Sequence, residues 1–370
     1  MSTNDTLNYV KNTASLDWYN IKLVNTNEVI NVPTHLKFNM TAADAEAINF
    51  GNELYDDLSG VQGDLSKIFS AFKDYLESKV LDGDNVISVT STADGYTIDS
   101  GLGNDKITGN VGADSINGGD GNDTEIGGLG VDSLIGGTGS DSLDGGAGDD
   151  LLYSGDGNDT VSAGDGSDLI VGGDGAGDDT YDGGSGIDTV KYTSSKASIT
   201  VDLSKGTATS TAGKDAAGIG NDKLKNIEFI IAGDYADTLI GSKDANSIVG
   251  GLGNDTLDGG LGKDTLVGGD GADTFVFSTT PATTNMDTIS DFQVGVDKIQ
   301  LSSKVFTKLK GSDYLAFGTA SDSASHYLIY DSTSGKLSYD ADGNLTKIKP
   351  VDIALIGQGL QLTAQDIVVI

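Results

Sequence analysis

The sequence predicts a mostly β protein, in which a stack of short repeats lies between a small α+β N-terminal domain and an all-β C-terminal cap. Gly accounts for 54 of the 370 residues and Pro for only 3. Acidic residues outnumber basic residues 56 to 22, which gives a formal net charge of -34. The middle of the chain repeats a nine-residue motif of Gly and Asp in register. Such a fixed short period indicates stacked repeats rather than an irregular globular domain.

The charged residues are unusual in kind as well as in number. Six acids are Glu, all others are Asp, and every basic residue is Lys, so the chain has no Arg. Bidentate recognition of phosphate normally uses Arg, and an acidic surface repels a polyanion, so we expect no nucleic-acid partner. No apolar run approaches the roughly 18 residues of a membrane helix, and the N-terminus lacks the basic start and apolar core of a secretory signal. We therefore expect no transmembrane segment and no conventional signal peptide.

Residues 1–81 are predicted to form the small α+β domain. Strand-forming runs at 16–24 and 28–32 flank turn-forming residues and indicate a β-hairpin. Thr41 is a candidate N-cap for a helix that follows. Apolar residues spaced alternately by four and three form a stripe on one face of that helix: Leu54, Leu58, Val61, Leu65, Ile68, Phe72 and Leu76. This face packs either on the protein's own β structure or against an oligomeric or target partner.

The first repeat block spans 82–191. Residues 82–99 keep apolar positions such as Val89 and Ile98 without the repeated Asp, which predicts a capping coil. From Ser100 to Val171, eight consecutive units follow the consensus G-G-x-G-x-D-x-U-x, in which U is apolar, and two less regular units follow. Position six of these ten units is Asp throughout: Asp105, Asp114, Asp123, Asp132, Asp141, Asp150, Asp159, Asp168, Asp179 and Asp188.

The consensus predicts both local structure and chemistry. Gly at positions one, two and four permits positive φ and a tight turn, and the last three residues form a short strand. Two units make one coil, with position eight pointing inwards and the Asp-bearing turns on two opposite edges. Successive turns on one edge then lie about 4.8 Å apart. Carboxylates this close need cations between them, and carboxylate and carbonyl oxygens in a flexible cage select Ca²⁺.

We therefore predict that several Ca²⁺ ions are bound by the position-six Asp residues and by the backbone of the Gly-rich turns. The turn glycines assigned to these sites are Gly119, Gly121, Gly128, Gly130, Gly137, Gly139, Gly146 and Gly148. A second block at 232–277 adds four further Asp ligands: Asp237, Asp255, Asp264 and Asp273.

Three features depart from the pattern. Glu125 occupies an inward position, so either Ile126 turns inwards through a local slip or that coil is distorted. A β-rich interruption at 192–231 has no position-six Asp series, and we expect it to divide the Ca²⁺ sites into two cooperative groups. Asn246 replaces the position-six Asp near the start of the second block, which predicts weak Ca²⁺ binding there.

The C-terminal part, 278–370, returns to alternating β patterns. Predicted strands lie at 288–292, 297–301, 326–330, 336–339 and 366–370, and turn-forming residues separate them. This indicates an all-β cap that ends the stack.

The repeat units over about 100–277 resemble the nonapeptides of RTX proteins, which the consensus G-G-x-G-x-D-x-U-x identifies with high specificity. The segment from Gly268 to Leu301 and the tail, with LIYDSTSGKLSYDADG and a terminal DIVVI, are similar to the C-terminal region of serralysin-type substrates of type I secretion. The resemblance implies a parallel β-roll (RTX β-solenoid), export from a bacterium to the extracellular space or cell surface, and folding on Ca²⁺ binding outside the cell. It also implies type I secretion machinery as a partner, comprising an ABC transporter, an adaptor and an outer-membrane channel.

Many proteins with such repeats are enzymes, but the residues here do not favour catalysis. The chain has two isolated His, His35 and His326, no Cys, and neither an H-E-x-x-H nor a G-x-S-x-G motif. The periodic Asp residues are explained by metal binding. We expect no enzyme activity, and two function classes stay open. One is a secreted Ca²⁺-binding protein of a surface layer, biofilm or adhesive contact, with cell-surface polysaccharide or its own copies as partners. The other is a secreted effector, toxin or bacteriocin-like protein whose N-terminal domain acts on a target.

Overall fold

The structure is a computed structural model. It describes side chains and backbone at 83–89, 95–172, 175–211, 217–311, 314–321, 323–343 and 347–370, and backbone strands at 6–12, 16–22, 28–32 and 36–40. The chain divides into two compact units. Unit 1 comprises Met1–Val171 and Thr180–Gly186, and unit 2 comprises Gly172–Asp179 and Ile187–Ile370. The domain boundaries given by the sequence stay predictions.

Unit 1 consists of short strands. They are β1 (Thr6–Asn12), β2 (Leu16–Lys22), β3 (Glu28–Val32), β4 (Leu36–Met40), β5 (Val86–Val89), β6 (Thr97–Asp99), β7 (Lys106–Thr108), β8 (Ser115–Asp120), β9 (Thr124–Leu129), β10 (Ser133–Thr138), β11 (Ser142–Ala147), β12 (Leu151–Asp156), β13 (Thr160–Gly166), β14 (Leu169–Val171) and β15 (Thr180–Gly186).

The strands of the repeats form two parallel sheets. Successive units contribute their strands to the two sheets in turn. One sheet has the order β6-β8-β10-β12-β14, and the other contains β5-β7-β9-β11-β13-β15. Each residue of a regular unit pairs with the residue 18 positions away, so that Leu134 lies between Ile116 and Leu152. This register confirms that two nonapeptides make one coil. The fold is therefore the expected parallel β-roll.

The core of the roll is a row of position-eight side chains between the two sheets. Ile107, Ile116, Leu134, Leu143 and Leu152 are all at most 1% exposed. Each such burial contributes roughly 1.5–3 kcal/mol. Each sheet contributes one inward-facing position-eight side chain per coil to the core. The stabilisation from apolar burial in each coil is therefore small compared with the repulsion between the carboxylates of the turns.

The N-terminal strands pair differently from the predicted hairpin. β1 pairs with β2 and β3 pairs with β4, each antiparallel, so the predicted pairing of β2 with β3 is wrong. The connections within the observed pairs are three residues long, whereas five residues separate β2 from β3. Shorter connections favour pairing of the strands that they join. The predicted helix with its apolar stripe, Thr41 and His35 all lie outside the described residues.

A hairpin strand covers one end of the roll in unit 1. β4 pairs antiparallel with β5, and β5 pairs parallel with β7. The capping coil predicted at 82–99 is present as β5 and β6, with Ile87 and Ile98 in line with Ile107 and Ile116. Antiparallel β4 therefore occupies the backbone groups that an open sheet edge would expose.

Unit 2 continues with short strands. They are β16 (Thr189–Lys191), β17 (Ile199–Asp202), β18 (Thr207–Ser210), β19 (Asn221–Lys225), β20 (Phe229–Ile231), β21 (Thr238–Ile240), β22 (Ser247–Leu252), β23 (Thr256–Asp258), β24 (Thr265–Asp270), β25 (Thr274–Phe277), β26 (Asp287–Ile289), β27 (Lys298–Leu301), β28 (Leu315–Phe317), β29 (Leu328–Asp331), β30 (Lys336–Tyr339), β31 (Val351–Leu355) and β32 (Ile367–Val369).

Unit 2 also has two main sheets. One has the order β16-β20-β22-β24-β26-β31-β30-β29-β28, and the other β19-β18-β17-β21-β23-β25-β27-β32. The interruption supplies β17, β18 and β19, which pair antiparallel with one another before β17 pairs parallel with β21. The interruption therefore inserts antiparallel strands into one sheet of unit 2.

The C-terminal cap adds strands to both sheets of unit 2. β31 pairs parallel with β26, and β32 pairs parallel with β27. β29 and β30 form an antiparallel hairpin, and the turn-forming residues 332–335 connect them. His326 precedes β29 rather than lying within it. In the described part of the chain, the one helical element is a 3-10 turn at Ala364–Asp366, which has a capping box from Thr363.

Candidate metal sites of the repeats

The position-six Asp residues of unit 1 form two rows. The backbone N–H of each Asp donates to Oδ1 of the Asp one coil further along. In the first row, Asp105, Asp123 and Asp141 donate over 2.7, 2.7 and 2.8 Å. The second row repeats the bond from Asp114, Asp132 and Asp150 over 2.7, 2.8 and 2.7 Å. One carboxylate oxygen of each Asp thus stabilises the stacking of turns.

The other carboxylate oxygen, Oδ2, makes no hydrogen bond at several positions of the rows. Oδ2 is buried and makes no hydrogen bond in a group of position-six residues: Asp105, Asp123, Asp132, Asp141, Asp150, Asp255 and Asp264. All seven side chains are at most 3% exposed. A buried carboxylate oxygen without a partner is costly, and a bound cation is the usual compensation.

Backbone carbonyls converge on the same places. A Cβ at Gly127 would lie 2.4 Å from Asp132 Oδ2 and 2.7 Å from the Gly145 carbonyl oxygen. At Gly136 the corresponding distances are 2.7 Å to Asp141 Oδ2 and 2.4 Å to the Ser154 carbonyl oxygen. Position one is therefore lined by a carboxylate oxygen of its own unit and a carbonyl of the next coil on that edge.

The glycines at positions two and four adopt the predicted positive φ. Their φ values lie between 96° and 142° at Gly119, Gly121, Gly128, Gly130, Gly137, Gly139, Gly146 and Gly148. Position one differs, since Gly118, Gly127 and Gly136 do not have positive φ. The prediction of positive φ at position one is therefore wrong. Gly at these three places is instead explained by the oxygens that a Cβ would contact.

The environment of the rows disfavours ionised carboxylates in the absence of a cation. Burial raises the pKa of Asp123 and Asp132 to about 6 and that of Asp150 to about 7. The N–H of the preceding Asp lowers each pKa in part, and neighbouring carboxylates raise it again. In unit 2, burial likewise raises the pKa of Asp255 to about 7. Raised acid pKa values along a stack show that the charge is uncompensated by the protein alone.

Glu125 contradicts both expectations for its coil. It is 0% exposed and pairs in regular register with Ile107 and Leu143, so there is neither a slip that brings Ile126 inwards nor a distortion of the pairing. The backbone pairing fixes which residue points inwards, because the side-chain period of a strand is two. Burial, followed by the charges of Asp141 and Asp123, raises the pKa of Glu125 to about 9.

The second block keeps the same arrangement with one gap in charge. Asp237, Asp255 and Asp264 donate to or accept from neighbours in the row, for instance from Asp237 N to Asp255 Oδ1 over 2.8 Å. Asn246 N also donates to Asp264 Oδ1 over 2.8 Å, so the stacking bond survives the substitution. However, Asn246 Oδ1 accepts from Ser242 N and its amide donates to the Glu228 carbonyl. Both polar atoms of the neutral Asn246 side chain therefore have hydrogen-bond partners in the backbone.

Four acidic residues outside the nine-residue period extend the rows in unit 2. Asp222 Oδ1 accepts from Asp179 N over 3.1 Å, and Glu228 Oε2 accepts from Asp188 N over 3.0 Å. Asp287 Oδ1 and Asp297 Oδ1 accept from the N–H groups of Asp264 and Asp273 over 3.1 and 3.0 Å.

The interruption at 192–231 has no position-six Asp series, but Asp222 and Glu228 within it each accept the N–H of a position-six Asp. A search at fixed nine-residue spacing misses Asp222 because a folded insertion precedes it. The local order of an Asp, any residue and an apolar residue is the signal that could have found three of the four, as in Asp222-Lys223-Leu224, Asp287-Thr288-Ile289 and Asp297-Lys298-Ile299.

The donors available in the rows fit Ca²⁺. They are hard oxygens, carboxylate and carbonyl, and they come from two successive turns. Among the described residues, no group of three or more His, Cys, Asp or Glu side chains lies together as a metal site. This is consistent with a site in which each turn supplies one carboxylate and backbone carbonyls supply the other oxygens. Such a site offers no nitrogen or sulfur ligand to zinc or copper.

Two protein families match the chain. The RTX calcium-binding nonapeptide repeat matches at residues 97–125, 126–161 and 153–190. The Peptidase M10 serralysin C terminal family matches at residues 180–369, just over half of the chain. The chain belongs to the RTX calcium-binding proteins with a serralysin-type C-terminal domain. Its repeats are therefore calcium-binding repeats, and RTX repeats with this C-terminal domain are features of secreted proteins and of type I secretion substrates.

Other comparisons add little to the assignment of this RTX protein. No curated protein gives a significant match. Among solved structures, the extracellular lipase LipA from Serratia marcescens is 17% identical, with 67% of this chain and 45% of the lipase covered and a TM-score of 0.22. The chain thus spans less than half of that lipase, and a similarity this low carries no argument about activity. Within the described residues, no helix has the length and apolarity of a transmembrane span.

Proposed function

We propose that this protein is a secreted, non-enzymatic Ca²⁺-binding protein that acts at the bacterial cell surface or in the extracellular matrix, as part of a surface layer, biofilm or adhesive contact. The observation that carries the proposal is the pair of rows of buried Asp residues, in which Oδ2 of Asp105, Asp123, Asp132, Asp141 and Asp150 makes no hydrogen bond. An assembly built around such rows needs Ca²⁺ to persist. Calcium is abundant outside cells and scarce inside, so this chemistry favours a role after export.

The same rows make calcium binding a folding step. The chain carries a net charge of -34, and the single row of apolar side chains in the roll cannot offset the repulsion between stacked carboxylates. We expect the repeats to be largely unstructured in EGTA and to gain β structure in millimolar Ca²⁺. Far-ultraviolet circular dichroism of the full chain tests this. A β-rich spectrum that is unchanged by EGTA would contradict it.

The non-enzymatic part of the proposal is supported by the sequence. The two His are isolated, Cys is absent, and the periodic Asp residues are accounted for by the rows. Reproducible hydrolysis of casein, a triglyceride or a polysaccharide by the purified calcium form would contradict this part alone and leave calcium binding unaffected.

The location of action separates the proposal from its alternative. Immunofluorescence of intact producing cells should show a coat that chelation with EGTA removes and that returned Ca²⁺ with purified protein restores. If the protein is instead a secreted effector, toxin or bacteriocin-like protein, it should leave the producer and act on other cells or membranes. Leakage of dye from vesicles, or killing of related bacteria, by the full calcium-loaded chain would favour that alternative.

A further inference from the structure

Glu125 is the one acidic residue among the inward-facing position-eight residues of the eight regular units. Its side chain is 0% exposed, and it lies between Ile107 and Leu143 on one sheet of the roll. Both carboxylate oxygens lack a hydrogen-bond partner. The backbone N–H groups of Gly118 and Ile135 lie nearby and lower the pKa of Glu125, but neither forms a hydrogen bond with its oxygens. A fully buried carboxylate with no partner calls for a ligand.

The free oxygens of Glu125 converge with those of a candidate calcium site. A Cβ at Gly118 would lie 2.5 Å from Asp123 Oδ2, 2.6 Å from Glu125 Oε1 and 2.8 Å from the Gly136 carbonyl oxygen. At Gly127 and Gly136, the same position in the next two units, only one carboxylate oxygen and one carbonyl oxygen approach this closely, and the third neighbour is carbon. Gly118 is thus the place where a second carboxylate reaches the site from the interior.

We propose that Glu125 is an additional ligand, contributed from the core of the roll, of the Ca²⁺ ion bound at the turns of Asp123 and Asp141. Asp123 Oδ2 and Glu125 Oε1 both lie within 2.6 Å of the position that a Cβ at Gly118 would take, which places the Glu125 carboxylate at that edge. The site then has one more carboxylate than its neighbours. More ligand charge strengthens Ca²⁺ binding, so this site holds its ion most tightly in the first block.

The inference rests on calcium binding by the repeats, which the proposed function shares. Its competitor is a neutral Glu125 that fills the core as a protonated acid and touches no ion. The two differ in what a neutral substitution does. An ionised ligand cannot be replaced by an amide without loss of affinity, whereas a protonated core residue can.

The first experiment is calorimetric Ca²⁺ titration of the full chain as wild type, Glu125→Gln and Leu143→Gln. Leu143→Gln places the same amide at the equivalent inward position of the next coil on the same sheet, so it controls for loosening of the core. We expect Glu125→Gln to weaken the tightest Ca²⁺ binding step by about tenfold or more while Leu143→Gln keeps that step. Equal titrations for wild type and Glu125→Gln, or an equal loss in both variants, would overturn the proposal.

A second variant and readout guard against a folding artefact. Glu125→Leu restores the consensus, so it should fold with Ca²⁺ and still lack the tight step. Infrared difference spectroscopy on Ca²⁺ addition should show a calcium-bound Glu carboxylate component, beside the signal of the Asp ligands, that is missing from both Glu125 variants. A protonated carboxyl band that persists in the calcium form and vanishes in Glu125→Gln would overturn the proposal. Absence of Ca²⁺ binding by the wild type would overturn the proposed function as well, so the two failures are distinguishable.

Discussion

At the scale of single residues, the position-six Asp performs two separable tasks. At Asp141, Oδ1 accepts the Asp123 N–H, and Oδ2 makes no hydrogen bond and is available to a cation. Asp237 differs from Asp141, because its Oδ2 accepts the Gly233 N–H over 3.3 Å. We therefore expect position-six Asp residues to differ in how much they contribute to Ca²⁺ binding at different places along the rows.

We predict that Asp141→Asn keeps the stacking bond and weakens Ca²⁺ binding by the first block by about tenfold, because the amide retains an acceptor oxygen but no charge. Asp141→Ala should lose both functions and lower stability in Ca²⁺ as well. Calorimetry and chemical denaturation in millimolar Ca²⁺ separate the two effects.

Asp144→Asn is the matched control for Asp141→Asn, since it removes the same charge from an exposed position of the same unit. Asp237→Asn should have a smaller effect than Asp141→Asn. Equal losses at Asp141 and Asp144 would mean that net charge, rather than the row, determines binding.

A second prediction concerns Asn246, whose amide interacts with the Ser242 N–H and the Glu228 carbonyl. Asn246→Asp places a carboxylate in the gap of the row. We expect the variant to bind Ca²⁺ in its second block more tightly and more cooperatively, because each turn is preorganised by its neighbours.

Calcium titration followed by circular dichroism measures the midpoint and steepness of this transition. Asn254→Asp is the control, since it adds the same charge at an exposed turn residue whose Oδ1 accepts from Ala272 N. If both variants shift the transition alike, the gap at Asn246 has no specific role.

At the scale of elements, the stack of turns behaves as one acidic system. The strands that join the turns are short, and in unit 1 the apolar contact between the two sheets is a single row of side chains from each. The turns therefore determine whether a coil is stable. Their carboxylates become acceptable either by binding Ca²⁺ or by taking up protons.

This predicts a pH dependence for the calcium-free protein. The folded-state pKa values of Asp123, Asp132 and Asp150, about 6, 6 and 7, lie above the ordinary value of 3.8. The folded state thus binds more protons than the unfolded state, so stability falls as pH rises through these values. In EGTA, we expect β structure to increase as pH is lowered from 8 to 5, and the increase to disappear in saturating Ca²⁺.

Circular dichroism at each pH in EGTA and in Ca²⁺ measures this effect. The pH in this experiment should stay above about 4. Hydrogen bonds from Thr363 and Gly295 lower the pKa of Asp366 in the cap, so protonation of this carboxylate at lower pH destabilises the folded state. A calcium-free protein that is equally unstructured at pH 8 and pH 5 would contradict the role assigned to the rows.

At the scale of the whole molecule, the C-terminal region that we expect to direct export also adds strands to both sheets of unit 2. β31 and β32 each add a strand to one of these sheets, and the match to the serralysin C-terminal domain extends to residue 369. These two strands thus belong to the same region as the expected secretion signal.

We predict that residues 310–370 suffice to export a passenger protein through a type I system, and that deleting them retains the protein in the cell. Immunoblots of medium and cells measure both. Because the deletion also removes β31 and β32, retention by itself could reflect misfolding. The passenger fusion is therefore the decisive arm, and appearance of the truncated chain in the medium would show that the signal lies elsewhere.

The sequence by itself determined the repeat, the 18-residue coil, the inward position eight and the cation chemistry, because each follows from a period and from the residue types at fixed positions. It also located several cap strands and the hairpin turn at 332–335. Tertiary structure decided the rest. Only the stacking of strands shows that Glu125 faces inwards unpaired, that Asp222 and Glu228 rejoin the rows after an insertion, and that β2 pairs with β1. These depend on which backbone groups meet across gaps of variable length, and a fixed period carries no information about such gaps.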